Sequence, residues 1–129
     1  MAADRTATIE ALYRALNQRN LDAALVHLGP GATWPNAETG GTVSGREALR
    51  AYFTALWAKV DPIMEPVRIE PGPAGETRVI VDQLVRSRDG KVIDHGQFEH
   101  LFTFDGPFVS RMVSTPLAVE PDEDEDEDQ

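Results

Sequence analysis

The fold class this chain predicts is an α+β domain with three N-terminal helices packed on a curved antiparallel sheet, and two observations lead there. Apolar residues recur at helical spacing up to about residue 60, and from Ile63 onward β-branched and aromatic runs alternate with turn residues. Helices followed by a strand meander is the order of a layered α+β domain rather than of alternating βαβ units.

The elements follow in sequence. Ile9, Leu12, Tyr13 and Leu16 lie at i, i+3, i+4, i+7, on one face of a first helix. Asn20 is placed to cap a second helix, in which Leu21, Ala24, Leu25 and Leu28 repeat that spacing until Gly29-Pro30 stops it. Ala32 to Asn36 and the surroundings of Val43 read as short extended pieces around the turn Glu38-Thr39-Gly40-Gly41. Ser44-Gly45-Arg46-Glu47 has the form of a capping box, and Leu49, Phe53, Leu56 and Val60 continue a third helix, predicted to be the longest, up to Asp61-Pro62. Four strands joined as hairpins are predicted beyond it, with turns at Pro71 to Gly75, Asp89-Gly90 and Asp105-Gly106-Pro107. Asp89-Gly90 is the clearest of these, read as a two-residue turn in which both residues tolerate positive φ.

Composition narrows the function classes. The chain has 129 residues, 41% of them hydrophobic, the size of one domain able to bury a core. It holds no apolar run long enough to cross a bilayer, and nothing behind Met1-Ala2-Ala3-Asp4-Arg5 reads as a signal peptide, so a soluble, cytoplasmic protein is expected. Without cysteine there is neither a disulfide framework nor a thiolate site. The formal charge of −10 is misleading, because eight of the 22 acidic residues lie between Glu120 and Gln129. The remaining 14 acids face 12 bases, which leaves residues 1–119 at about −2 and gives no basic footprint for nucleic acid or an anionic membrane. Residues 120–129 read as a disordered acidic tail that repels itself.

Candidate site residues come from polar groups set among apolar ones. Strand alternation groups His100 with Phe98, Phe102 and Phe104, so His100 reads as a general acid/base or as a buried neutral histidine holding a hydrogen bond. Asp82, between Val81 and Leu84, reads as a carboxylate poised by burial to exchange protons with His100, or as an ion-pair partner of Arg78 or Arg86. Trp34 and Asn36 stand two residues apart and thus on one side, as an aromatic wall with a hydrogen-bonding amide; Tyr13, Tyr52 and Phe102 complete the expected ligand-binding set. Metal ligation is not expected: Asp94 and His100 share a face but stand roughly 20 Å apart along an extended strand, and His27 has no ligand-spaced partner. No cofactor motif is present, since Gly40-Gly41 lacks the residues of a phosphate loop. Both faces of the strands around Val79 to Val85 and Phe98 to Phe104 carry apolar residues, which predicts a homodimer covering the outer face of the sheet.

Three phrases give the chain a family likeness: Leu16-Asn17 through Asn20-Leu21-Asp22-Ala23-Ala24-Leu25, Gly45-Arg46-Glu47-Ala48-Leu49-Arg50-Ala51-Tyr52-Phe53, and Phe102-Thr103-Phe104-Asp105-Gly106. In this order they resemble the nuclear transport factor 2-like superfamily, in particular its SnoaL-like and ketosteroid-isomerase-like members. The resemblance implies a cone whose sheet wraps the long helix around an apolar pocket, and often dimerisation through the sheet. It also implies metal-free acid/base work on a small organic molecule, or binding alone. The active-site patterns of such relatives are broken here. Asn36 stands where an isomerase would place its base, Leu12 and His100 where it would place its oxyanion donors, and Ile80, Val113 and Trp34 where an epoxide hydrolase would place arginine, aspartate and tyrosine. The competing reading is therefore a non-catalytic ligand-binding or assembly domain.

Overall fold

The computed structural model describes residues 2–117; residues 118–129, and with them the expected acidic tail and its boundary, lie outside the described residues. Helix α1 spans Ala2–Asn17, and α2 is the short Leu21–Leu25. Strands β1 (Leu28–Pro35) and β2 (Thr42–Ser44) precede α3 (Arg46–Lys59), and β3 (Val60–Pro71), β4 (Thr77–Ser87), β5 (Val92–Asp105) and β6 (Phe108–Leu117) complete the order. The predicted α+β class is the observed one. With 16 residues against 14, however, α1 rather than α3 is the longest helix. Among the described residues no helix is long and apolar enough to cross a membrane.

The six strands form one unclosed sheet in the order β2-β1-β6-β5-β4-β3. The three hairpins from β3 to β6 are antiparallel as expected, but β1 runs parallel to β6, so the sheet is mixed. Gly29-Pro30 does not end a helix: the second helix stops at Leu25, and the Gly-Pro pair lies inside β1 where the ladder to β6 is irregular between Leu28 and Thr33. A proline without an N–H is tolerated at such an irregularity. Asn20 does cap α2, accepting a hydrogen bond from the Ala23 amide at 3.1 Å.

The expected capping box at Ser44 does not form. Ser44 is held in the β1–β2 ladder opposite Thr33, and the N-cap is Gly45, at φ 92° and ψ 151°, with no side-chain cap. Arg46 secures the start of α3 instead, donating to the Leu28 carbonyl through Nε at 2.9 Å and Nη2 at 2.7 Å. The β4–β5 turn has three residues rather than two: Ser87 and Lys91 are joined by a backbone hydrogen bond, and only Gly90, at φ 94°, takes the left-handed conformation.

The helices cover one face of the sheet. Ile9, Leu12, Tyr13 and Leu16 of α1, with Leu49 and Phe53 of α3, pack on Val79, Val81, Phe102, Val109 and Met112. An amide clamp fixes α1 to the third strand: Asn17 donates to the Met64 carbonyl at 2.7 Å and accepts from the Met64 amide at 3.0 Å.

Candidate functional site

Alternate residues of β4 and β5 face the helices, and a cavity of about 240 Å³ lies between the sheet and α3. Tyr52, Phe53, Leu56 and Trp57 of α3 form one wall, and Trp34 and Pro35 close the β1 side. Gln83, Val85, Asp94, His100, Met112 and Ser114 come from the inner face of β4, β5 and β6. Asp94 is exposed whereas His100 is only 3% exposed, so the cavity runs along β5 from the surface to the interior. The aromatic walls brace one another: Trp34 meets Phe53 edge-on at 5.8 Å and Phe102 at 6.1 Å, and Phe53 stacks on Trp57 at 5.4 Å.

His100 is the buried ionisable group of this lining. Its Nδ1 lies 2.6 Å from the Tyr13 hydroxyl, and the two rings are nearly parallel with centroids 5.9 Å apart. Burial holds the imidazole well below its usual range, at about 4, so it is neutral near neutral pH. Burial likewise raises Tyr13, which keeps its proton. Tyr13 is thus behind His100 rather than on the lining, and Phe102 supports the pair from below the surface without lining the cavity. Trp34 and Tyr52 do line it; the Tyr52 hydroxyl accepts from the Ala37 amide at 3.0 Å, and burial is the main cause that raises its pKa.

Two expected residues stand elsewhere. Asp82 is on the outer face of the sheet, paired with His95 Nε2 at 3.2 Å rather than with Arg78 or Arg86, and does not share a cavity with His100. Register is the reason: Val79 pairs with His100, so Val79, Val81, Gln83 and Val85 face inward, while Ile80, Asp82 and Leu84 face out. Asn36 does not line the cavity either, because its Oδ1 accepts from the amides of Glu38 at 2.9 Å and Thr39 at 3.2 Å and closes the β1–β2 turn. Among the described residues no cluster of three or more His, Cys, Asp or Glu is placed to hold a metal ion.

Sequence reasoning passed over Arg19, Gln83, Ser114 and Trp57, all on the lining. Arg19 joins α1 to α2 at φ 62°, a left-handed conformation that costs a side-chain-bearing residue roughly 1–2 kcal/mol. Its guanidinium offsets this by pairing with Asp61, donating to the carbonyls of Pro62 at 2.8 Å and Leu16 at 3.1 Å, and lying 5.0 Å over the Trp57 ring. The mouth of the cavity is thereby tied to the end of α1. No local periodicity signals such a residue; the Asp61-Pro62 pair it grips looks like a helix stop and nothing more.

The likeness read from the sequence is matched by comparison with known proteins. A family model described as a SnoaL-like domain matches residues 9–106. Similar solved structures include a nuclear transport factor 2-like protein of unknown function from Burkholderia pseudomallei K96243 (TM-score 0.75, 18% identity, 88% of this chain and 90% of that one). A further neighbour is a limonene-epoxide-hydrolase-like epoxide hydrolase from M. tuberculosis (TM-score 0.74, 14% identity, 88% and 83%). A protein named as a candidate polyketide cyclase from Xanthomonas campestris pv. campestris also aligns (TM-score 0.70, 15% identity, 87% and 89%). At such identities the structural likeness carries the fold alone, and no curated protein matches the chain in sequence. Fold and family model together place the chain in the SnoaL-like domain family of the nuclear transport factor 2-like superfamily.

Proposed function

We propose that this chain is a small-molecule pocket protein that binds a compact, mostly apolar organic compound, with His100 as the group that hydrogen-bonds to it and exchanges protons with it. The observation that carries the reading is a buried neutral histidine on the lining of a cavity whose apolar walls include Trp34, Phe53, Leu56, Trp57 and Met112. A volume near 240 Å³ lies just under the usual range for drug-sized ligands, which points to a ligand of one or two rings. Solved neighbours named as an epoxide hydrolase and a candidate polyketide cyclase support such a use of the fold.

The displacement of Asp82 to the outer face favours a second reading, ligand binding without turnover, because the carboxylate that does line the cavity, Asp94, is exposed and stands six residues along β5 from the buried His100. A thermal-shift panel of small cyclic ketones, epoxides and hydrocarbons, followed by turnover assays on each hit, separates the two. Conversion that His100→Ala abolishes supports catalysis. Stabilisation without conversion supports binding alone, and no stabilisation by any compound refutes the pocket reading.

We also propose that a second copy of the chain covers the outer face of the sheet. That face interleaves half-buried Ile80, Leu84 and Leu101 and the more exposed Val113 with an ion cluster in which Arg78 meets Glu99 at 2.7 Å and Glu70 at 3.4 Å. It is more polar than the sequence implied, but a two-fold contact sets such mixed patches against themselves. Light scattering at micromolar concentration should give a dimer mass that survives removal of residues 120–129; a monomer mass refutes it.

A further inference from the structure

The rims of an open sheet carry backbone N–H and C=O groups with no neighbouring strand, a template on which another extended chain can pair. Here one rim is β3, a strand of 12 residues, and the other is β2, of three, with the part of β1 that β2 does not reach. Successive residues of an antiparallel strand point their backbone groups in opposite directions. Met64 gives both of its groups to the Asn17 amide, so it points away from β4, and Val60, Pro62 and Pro66 point the same way.

None of these four positions offers a free N–H. The Val60 amide is bonded to the Leu56 carbonyl near the end of α3, the Met64 amide to Asn17, and the two prolines have none to give. Arg19 takes the Pro62 carbonyl and Asn17 the Met64 carbonyl. Past Pro66 the ladder shifts at Val67, a bulge that turns the strand, and Arg68 sets an exposed charge on it.

The opposite rim is closed with similar parts. Arg46 holds the Leu28 carbonyl, the Gly45 amide bonds to the Ala32 carbonyl at 2.9 Å, and Pro30 between them has no N–H. Each of these caps comes from a helix end: Asn17 and Arg19 from that of α1, Leu56 from that of α3, and Gly45 and Arg46 from the start of α3.

We propose that these helix ends act as surrogate edge strands that close the sheet to strand addition, and that Asn17 is the removable one. Without it, a second copy of the chain pairs along β3 through Met64. The inference is independent of the pocket, and it directs self-association of the unaltered chain to the face of the sheet rather than to its rims.

Amide hydrogen exchange, followed residue by residue in the full chain, tests the cap itself. Met64 should exchange at least roughly tenfold more slowly than an unstructured peptide, the value of one hydrogen bond. Asn17→Ala should return Met64 to the free rate while Ile63 and Glu65, whose amides face β4, stay protected. A Met64 amide that is unprotected in the unaltered chain, or still protected in the variant, overturns the cap; so does loss of protection at Ile63 and Glu65 alongside it. The second arm combines Asn17→Ala with Pro66→Val, which restores another outward N–H, and follows mass by light scattering over a concentration series. Whatever the mass of the unaltered protein, that of the double variant should roughly double as concentration rises, with Asn17→Ala alone in between. A double variant that keeps its circular dichroism and matches the unaltered mass at every concentration overturns the claim that these caps hold the edge closed. Were the double variant to unfold, Asn17→Ala alone decides in the same series: a mass that never exceeds the unaltered one overturns the claim.

Discussion

Acid should unfold this protein through His100. In the folded chain burial holds this imidazole at about 4, against an unfolded value of 6.5. Because the folded value is the lower one, the unfolded chain binds the proton first as pH falls. The stabilisation from keeping His100 neutral is complete above pH 6.5 and is lost between there and pH 4. The gap corresponds to about 3 kcal/mol, accumulating at about 1.4 kcal/mol per pH unit near the middle of the window. For a domain whose whole stability is about 5–15 kcal/mol, that is a large share. Carboxylates titrate over part of the same range, so the measurement is a difference. Urea unfolding at pH 7, 6, 5 and 4.5 is compared with that of His100→Gln, which cannot titrate and whose side-chain carbonyl can accept from Tyr13. The two stability profiles should converge as pH falls, the unaltered protein losing its advantage. Profiles that stay parallel to within about 0.5 kcal/mol would refute the argument that His100 is held neutral by burial.

Three further outcomes are expected. Phe102→Ala removes a fully buried ring braced against Tyr13, Trp34 and His100, and should cost about 3–5 kcal/mol by chemical denaturation. Asp82→Asn breaks only an exposed pair with His95, so stability should move by no more than about 0.5 kcal/mol and ligand affinity not at all. Arg19→Gly relieves the left-handed strain but frees Trp57 and Asp61. Calorimetry should show ligand affinity falling several-fold while the unfolding midpoint changes little.

Much of this architecture could be read from residue order, because the features involved are local. Helical spacing from Ile9 to Leu16, the Asn20 cap and the turn glycines at Gly90 and Gly106 each act within a few residues. Alternation put His100 and Phe102 on one face of β5, and that face is the inner one. What failed depended on partners distant in sequence. Alternation within β4 separates Asp82 from Val79 and Val81, but which set faces the helices is decided by the pairing of Val79 with His100. Ser44 has the identity of a helix cap and is claimed by Thr33 in a neighbouring strand. Asn36, of a type that suits a ligand or a turn equally well, is taken by the turn.

The position of β6 in the sheet bears on how the chain reaches this structure at all. The last described strand is an interior one, flanked by β5 and by the parallel β1, and the Val109 amide bonds to the His27 carbonyl at 2.9 Å. During synthesis, β1, with β2 paired to it, waits for the strand that joins it to the rest of the sheet, which emerges at residues 108–117, about eighty residues after β1 begins at Leu28. The hairpins from β3 to β6 can assemble by local zipping, but closing β1 onto β6 carries the long loop entropy of a distant parallel pair. That single junction is where folding should be slowest and where substitutions should act on the rate of folding more than on the rate of unfolding.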